Sequence, residues 1–247
     1  MEWSDDAIVL STRPHGETGA ILELLTAAHG RHLGLVRGGA GSRMRPVLQP
    51  GNRLHVQWRA RLAEHLGSFT AELARPRAGE LMESRARLAG LNAFAAVSRA
   101  ALPEREAHGD VFAGGEILLD AMVAEEEGHW LPLYVRWEAG LLDALGFGLD
   151  LSQCVVTGQT EGLTHVSPRS GRAVSQDAGA PYAARLFVLP EFLLGSAAAA
   201  PDPAAIRAGL RLTGHFLAER VLRPHGQATP PARLRLEGLA DRLDESA

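Results

Sequence analysis

Between Arg53 and Arg59 apolar and polar residues alternate without exception, with Leu54, Val56 and Trp58 on one side and Arg53, His55, Gln57 and Arg59 on the other. That period of two is the signature of a half-buried strand. Shorter runs of the same kind precede and follow it: "DAIVLST", closed by the turn "RPHGETG", then "AILELLTAA", "RHLGLVR" and "GSFTAELAR". "GSRMRPVLQPG" interrupts the pattern between the third and fourth runs, with room for one helical turn before Pro50. Five short strands with an interruption after the third predict a small Greek-key barrel of the OB type, and an all-β sandwich is the alternative. Trp58 shares a face with Leu54 and Val56, which places it in the core rather than on a stacking surface.

From about Leu81 the period lengthens to that of a helix. "ESRARLAGLNAFAAVSRAAL" puts Leu88, Leu91, Phe94 or Ala95, and Ser98 or Leu102 on one stripe. "VFAGGEILLDAMVAEEE" predicts a second helix whose two glycines mark a close crossing or an early break. "LPLYVRWEAGLLDALGFG" predicts a third, with Pro132 in its first turn, a stripe of Leu133, Trp137, Leu141 and Leu145, and a stop at Gly146 or Gly148. Residues 150–182 read as irregular, followed by a short helix around Leu186–Leu194 and a linker at "GSAAAAPDP". A long helix then carries Ile206, Leu210, Leu217 and Val221 on one face. The expected fold class is α+β: a five-stranded OB-type barrel over residues 1–79, then a mostly helical domain over 80–247 with an irregular insertion at about 150–182.

The net charge of −4 argues against a uniformly basic surface, but its distribution is uneven. From Leu24 to Ala63 there is no aspartate or glutamate, while Arg31, Arg37, Arg43, Arg45, Arg53, Arg59 and Arg61 fall there with His29, His32 and His55. A basic stretch of that length points to a polyanionic partner. A mononucleotide loop is excluded by chemistry: the chain has no lysine, and "RGGAGSRMRP" ends on a proline rather than opening a helix. Arginines on strand and loops would instead track the phosphates of a polymer, with Gly38, Gly39 and Gly41 letting backbone N–H groups come close. Aromatic platforms are scarce, so binding should be electrostatic and indifferent to sequence.

Catalytic signatures are absent: there is no G-x-S-x-G, H-E-x-x-H or C-x-x-C, so the chain is not expected to be an enzyme. "HGD" at His108–Asp110 and "EEEGH" at Glu125–His129 read as helix-end surface residues rather than metal ligands. One cysteine, Cys154, fits a reducing compartment. No secretory leader and no apolar run of membrane length occur, so a cytoplasmic protein without a membrane partner is expected.

"GETGAILELLT", the basic strand and "GAGSRMRPVLQPG" together resemble the N-terminal OB domain of the bacterial DNA repair and recombination protein RecO family. "LYVRWEAGLLDALGFGLDLSQCVVTG" and "HVSPRSGRAVSQDAGAPY" resemble the helix and the zinc-finger-like segment that follow in that family. The resemblance implies a non-enzymatic recombination mediator that binds single- and double-stranded DNA, anneals complementary strands and assists recombinase loading on coated DNA. Its implied partners are RecR, the C-terminal tail of single-strand-binding protein, received by an arginine-rimmed apolar groove in the helical half, and, indirectly, the recombinase. Family members place two C-x-x-C pairs in the insertion, whereas here the positions read Cys154-Val-Val-Thr157 and Ser175-Gln-Asp-Ala178. Three of four thiolates are missing, so no structural zinc is expected and turns around Thr157, Ser167 and Ser170 should hold the loop. A protein-binding adaptor without DNA contact, or a metal-dependent nuclease, are the alternative functions.

Overall fold

The computed structural model describes residues 1–124, 129–195 and 201–242, and the chain divides into two compact units, Met1–Glu127 and Gly128–Ala247. In the first unit β1 (Glu2–His15), β2 (Gly19–Thr26), β3 (Gly30–Val36), β4 (Arg53–Arg59) and β5 (Ser68–Arg75) close on themselves in the order β1-β2-β3-β5-β4. All pairings are antiparallel except β3 with β5. β1 is long enough to serve two partners because it bends: its first half pairs with β4, its second with β2, and the register shifts between Val9 and Ser11. Arg13-Pro14-His15 is therefore strand, not turn, and only residues 16–18 reverse the chain.

The lumen is filled by the alternating set: Ala7, Val9, Ala20, Leu22, Leu24, Val36, Leu54, Val56, Trp58 and Phe69. Trp58 is buried, and its indole N–H donates to the Leu66 carbonyl at 3.1 Å. The β3–β4 connection closes the barrel rather than hanging from it. Its amides make turns of the helical kind, with Arg45 bonded to Gly41 and Leu48 to Met44. Leu48 is fully buried in the core cluster, with Met44 and Val47 against it.

Ile8, Leu10 and Leu25 are out of phase with the lumen yet buried, so one outer side of the barrel is covered. The cover is α1 (Ala78–Glu83), α2 (Arg85–Ala101) and α3 (Gly109–Ala124). Ser84 caps α2 by accepting from the amides of Ala86 and Arg87. Leu91, Phe94, Ala95, Ser98 and Leu102 are buried as the stripe requires, but Leu88 is exposed. The glycines of α3 do not break it; a Cβ at Gly115 would sit 2.9 Å from the Phe94 ring and 3.4 Å from Ile8 Cδ1. Asn52 locks this unit together, its amide group donating to the carbonyls of Pro46 and Val47 and its oxygen accepting from the amides of Arg77 and Ala78.

In the second unit α4 (Leu131–Ala144) stops at Gly146, whose φ of 81° is left-handed. Its buried side is Leu131, Tyr134, Val135, Trp137, Glu138, Leu141 and Leu142, with Leu133 and Leu145 only half-buried. The stretch expected to be irregular holds β6 (Leu163–Val166), β7 (Ala173–Ser175) and one helical turn, α5 (Gln176–Gly179), and β8 (Phe187–Val188) beyond it completes a small sheet in the order β7-β6-β8. Residues 187–194 are that last strand and a 3₁₀ turn, not a helix. α6 (Pro203–Phe216), capped by Asp202, continues through a π turn and a 3₁₀ turn to His225, and α7 (Pro231–Arg242) follows. Arg233 of α7 is buried against Glu138 of α4 and the Leu210 carbonyl of α6, so one ion pair ties three helices. The linker expected at Gly195–Pro203 and the "EEEGH" residues fall largely outside the described residues, at 196–200 and 125–128.

Candidate nucleic-acid interface

The seven arginines of the acid-free stretch divide into two groups. Carboxylates from outside that stretch hold three of them. Arg31 donates to Glu23 at 2.7 Å and to the Leu102 carbonyl, with Glu104 at 3.5 Å. Arg53, which the alternation places on the solvent side of β4, is half-buried between Asp6 at 2.7 Å and Glu116 of α3 at 3.0 Å. Arg59 is exposed and pairs with Glu2 at 2.7 Å. The middle of β4 is mixed in sign, since the cross-strand row there reads Asp6, His55, Glu72.

Arg37, Arg43, Arg45 and Arg61 are the other group. All four are exposed, and none forms an ion pair or side-chain hydrogen bond among the described residues. Register separates them into two positions. Leu35 of β3 lies beside Ser68 of β5, which lies beside Arg59 of β4, and because β4 runs against β3, Arg37 leaves that row on one side and Arg61 on the other. Arg43 and Arg45 stand on the connection that begins at Arg37. The same row runs on through Ile21 to Arg13, which is exposed and unpaired among the described residues. Arg13 lies outside the acid-free stretch, and only the bend in β1 brings it here.

The glycines of the connection have a different task from the one expected. Gly39 N–H donates to Val36 and Gly41 N–H to Gly38, so both are consumed inside the turn. A Cβ at Gly39 would lie 2.8 Å from Ala20 Cβ. Gly39 is small so that the connection can pack on β2, and of the three only Gly38, exposed with φ 68° and nothing within 4 Å of an added Cβ, keeps the open backbone expected.

Trp3 and Trp58 are cross-strand neighbours with ring centroids 5.6 Å apart. His29 stacks on Trp3 at 4.0 Å, held by Asp5 at 2.8 Å, and His32 meets both indoles edge-on. Burial depresses the His32 pKa, against the pull of its bond to the Leu33 carbonyl. A pocket of about 480 Å³ opens over this cluster, lined also by Ala63 and Arg105. The scarcity of aromatic residues hid it: two tryptophans 55 positions apart become adjacent only through the β1–β4 register.

In the second unit the positions matching the C-x-x-C pairs do come together. The Ser175 amide donates to Cys154 Sγ at 3.2 Å. Burial opposes ionisation of that thiol, and hydrogen bonding from Ser175 and Thr157 outweighs it, bringing it down to about 6. One sulfur with hydroxyl neighbours does not make a zinc donor set, and no group of three His, Cys, Asp or Glu side chains among the described residues is placed to hold a metal. The loop is fastened by Thr157 Oγ1 accepting from the Gln159 amide, by Ser170 Oγ accepting from the Arg172 amide, by the backbone of Ser167, and by the Arg172–Asp150 pair. In the His108–Asp110 stretch, His108 faces Glu106 at 3.5 Å. No helix among the described residues is long and apolar enough to cross a membrane.

Comparison with known proteins agrees with this architecture. Residues 1–77 match the model of the recombination protein O N-terminal domain and residues 82–228 that of its C-terminal domain. The DNA repair protein RecO of Rhodospirillum rubrum is 52% identical over 238 residues, 95% of this chain and 94% of its own. Those of Cereibacter sphaeroides and Caulobacter vibrioides are each 50% identical, over 244 and 246 residues, covering 98% and 100% of this chain and 100% and 99% of theirs. With both domain models matched in order and half of all residues shared along the whole length, the chain belongs to the recombination protein O family.

Proposed function

We propose that this protein is a DNA-binding recombination mediator in DNA repair, which holds single- and double-stranded DNA on the barrel and anneals complementary strands without bond-making chemistry. The observation that carries the reading is the set of four exposed guanidinium groups, Arg37, Arg43, Arg45 and Arg61, free of carboxylate partners among the described residues and carried on the β3–β4 and β4–β5 connections of the barrel. Such groups neutralise phosphate and leave base edges open to pair. Arg59 joins them by exchanging Glu2 for phosphate, since an exposed pair is weakly held. Arg31 and Arg53 support the surface from behind, through their carboxylates. The closure order and the parallel β3–β5 contact are those of an OB barrel, a fold that binds oligonucleotides on its outer surface. Residues 1–79 then form the DNA-binding domain, and the 150–182 segment is a zinc-finger relic that folds on hydrogen bonds.

By family, the partners proposed are RecR, the tail of single-strand-binding protein on the helical half, and the recombinase indirectly, in the bacterial cytoplasm at the nucleoid. Fluorescently labelled single-stranded oligonucleotide should bind at low salt and be released steeply as salt rises. Labelled DNA incubated with magnesium should keep its length. Absence of binding at low salt would move the assignment to a protein adaptor, and shortened strands would move it to a nuclease.

A further inference from the structure

We infer that the aromatic pocket beside the start of β1 receives one unpaired nucleobase of a bound DNA strand; the inference rests on the DNA-binding reading above. Three features converge there. The floor is a ring stack, His29 on Trp3 on Trp58, with the first two rings within 6° of parallel. Its volume of about 480 Å³ is that of a ligand pocket rather than a packing fault. Arg105 forms one wall, and it is the one non-glycine residue with a left-handed backbone among the described residues, at φ 64°. That conformation persists only where surroundings over-determine it, and such residues gather at ligand clamps. Here its amide donates to the Arg31 carbonyl at 2.8 Å, and its guanidinium donates to the carbonyls of Glu64 and His65 at 3.1 Å each, tying the β4–β5 loop beside the pocket.

Groups of both signs meet at this pocket, and the cation placed to reach a flanking phosphate is on the β4–β5 loop. Ala63 lines the pocket, and unpaired Arg61 stands two residues before it on the same loop. Of the carboxylates around it, Asp5 is engaged by His29 and the Ala28 amide and Glu2 by Arg59 and Gln57, while Glu104 faces Arg31 at 3.5 Å, Glu106 faces His108 at 3.5 Å, and Glu64 is exposed beside Ala63. An aromatic floor with one free cation, Arg61, on the adjoining loop matches a ring flanked by phosphate. Stacking of this kind accepts any base, so it adds affinity without sequence preference.

The test compares full-length protein binding a thymidine oligonucleotide and a strand of equal length made only of abasic sites, across several salt concentrations. The base-bearing strand should bind about tenfold tighter with the same salt slope. It alone should quench tryptophan fluorescence, because Trp3 is half-exposed while Trp58, Trp130 and Trp137 are buried. His29→Ala should erase the tenfold preference and keep the slope; the abasic comparison on the unaltered protein needs no variant to fold. Equal affinity without quenching overturns the pocket and leaves DNA binding intact. Quenching by an aromatic peptide with no preference between the strands gives the pocket to a protein partner and also overturns it. Failure of both strands to bind at low salt removes the DNA-binding reading and the inference together.

Discussion

One residue type does two kinds of work in this barrel, and burial of the partner decides which. Glu23 is buried and accepts from Arg31 at 2.7 Å, from Arg99 of α2 at 2.6 Å and from Ser11 at 2.9 Å. Burial raises its pKa, but the two guanidiniums and the hydroxyl together outweigh that and leave it below the usual 4.5. A carboxyl whose folded pKa is depressed stabilises the fold above its unfolded value and loses that contribution as pH falls through the folded value. Glu23→Gln should therefore lower stability by about 3 kcal/mol at neutral pH, because it strands two half-desolvated arginines. The gap between variant and parent melting temperatures should narrow steadily on acidification below about pH 4.5. Thermal melts across that range check it, and a gap independent of pH would show that the loss comes from packing alone. Arg37, Arg43, Arg45 and Arg61 have no such partner among the described residues, so their substitution should leave the melts unchanged.

At the scale of elements, the β3–β4 connection shows how a loop becomes part of the core. Leu48 is fully buried within the barrel cluster, and its carbonyl accepts from Thr12 Oγ1. Leu48→Ala should cost about 2–5 kcal/mol by leaving a cavity under the lid. Urea unfolding measures this, and a loss below about 1 kcal/mol would mean the lid collapses freely onto the core. The pattern of residues announces β4 without error because Leu54, Val56 and Trp58 all face the lumen, and it narrows the end of α4 to Gly146 or Gly148, of which Gly146 is the left-handed stop. It did not announce α1, whose six residues are too few to show a period, nor β6 to β8, of two to four residues each. Arg77 was equally silent. It is buried between Glu116 and Asp120, and nothing in its own neighbourhood of sequence names partners about 40 positions away. The candidate site was half legible for the same reason. The acid-free stretch is local and can be seen, whereas the carboxylates that capture Arg31, Arg53 and Arg59 arrive from β1, β2, the α2–α3 connection and α3.

Taken whole, the molecule carries a net charge of −4 and should repel DNA at long range, yet the proposed function requires it to bind DNA. The two statements are compatible because screening limits repulsion to about 8–10 Å at ordinary salt, while contacts within the barrel connections act inside that distance. What then sets affinity is the number of phosphates neutralised: the free cations of the two connections, Arg37, Arg43, Arg45 and Arg61, supply four, to which Arg13 and an exchanging Arg59 would each add at most one. Each phosphate contact on a single strand contributes about −0.7 to the slope of log affinity against log salt. Four contacts predict a slope near −3, and Arg37, Arg43 and Arg45 changed together to Ala should bring it to about −1. Affinity should fall alike for every sequence, since phosphates carry no sequence information. Changing Arg31 and Arg53 instead should destabilise the barrel and leave the slope of the folded fraction near −3. Fluorescence titrations at four or more salt concentrations distinguish these outcomes. A slope untouched by the triple change, or one lost with Arg31 and Arg53 in protein that remains folded, would place the DNA path over the middle of β4, where Asp6 and Glu72 now stand in the way.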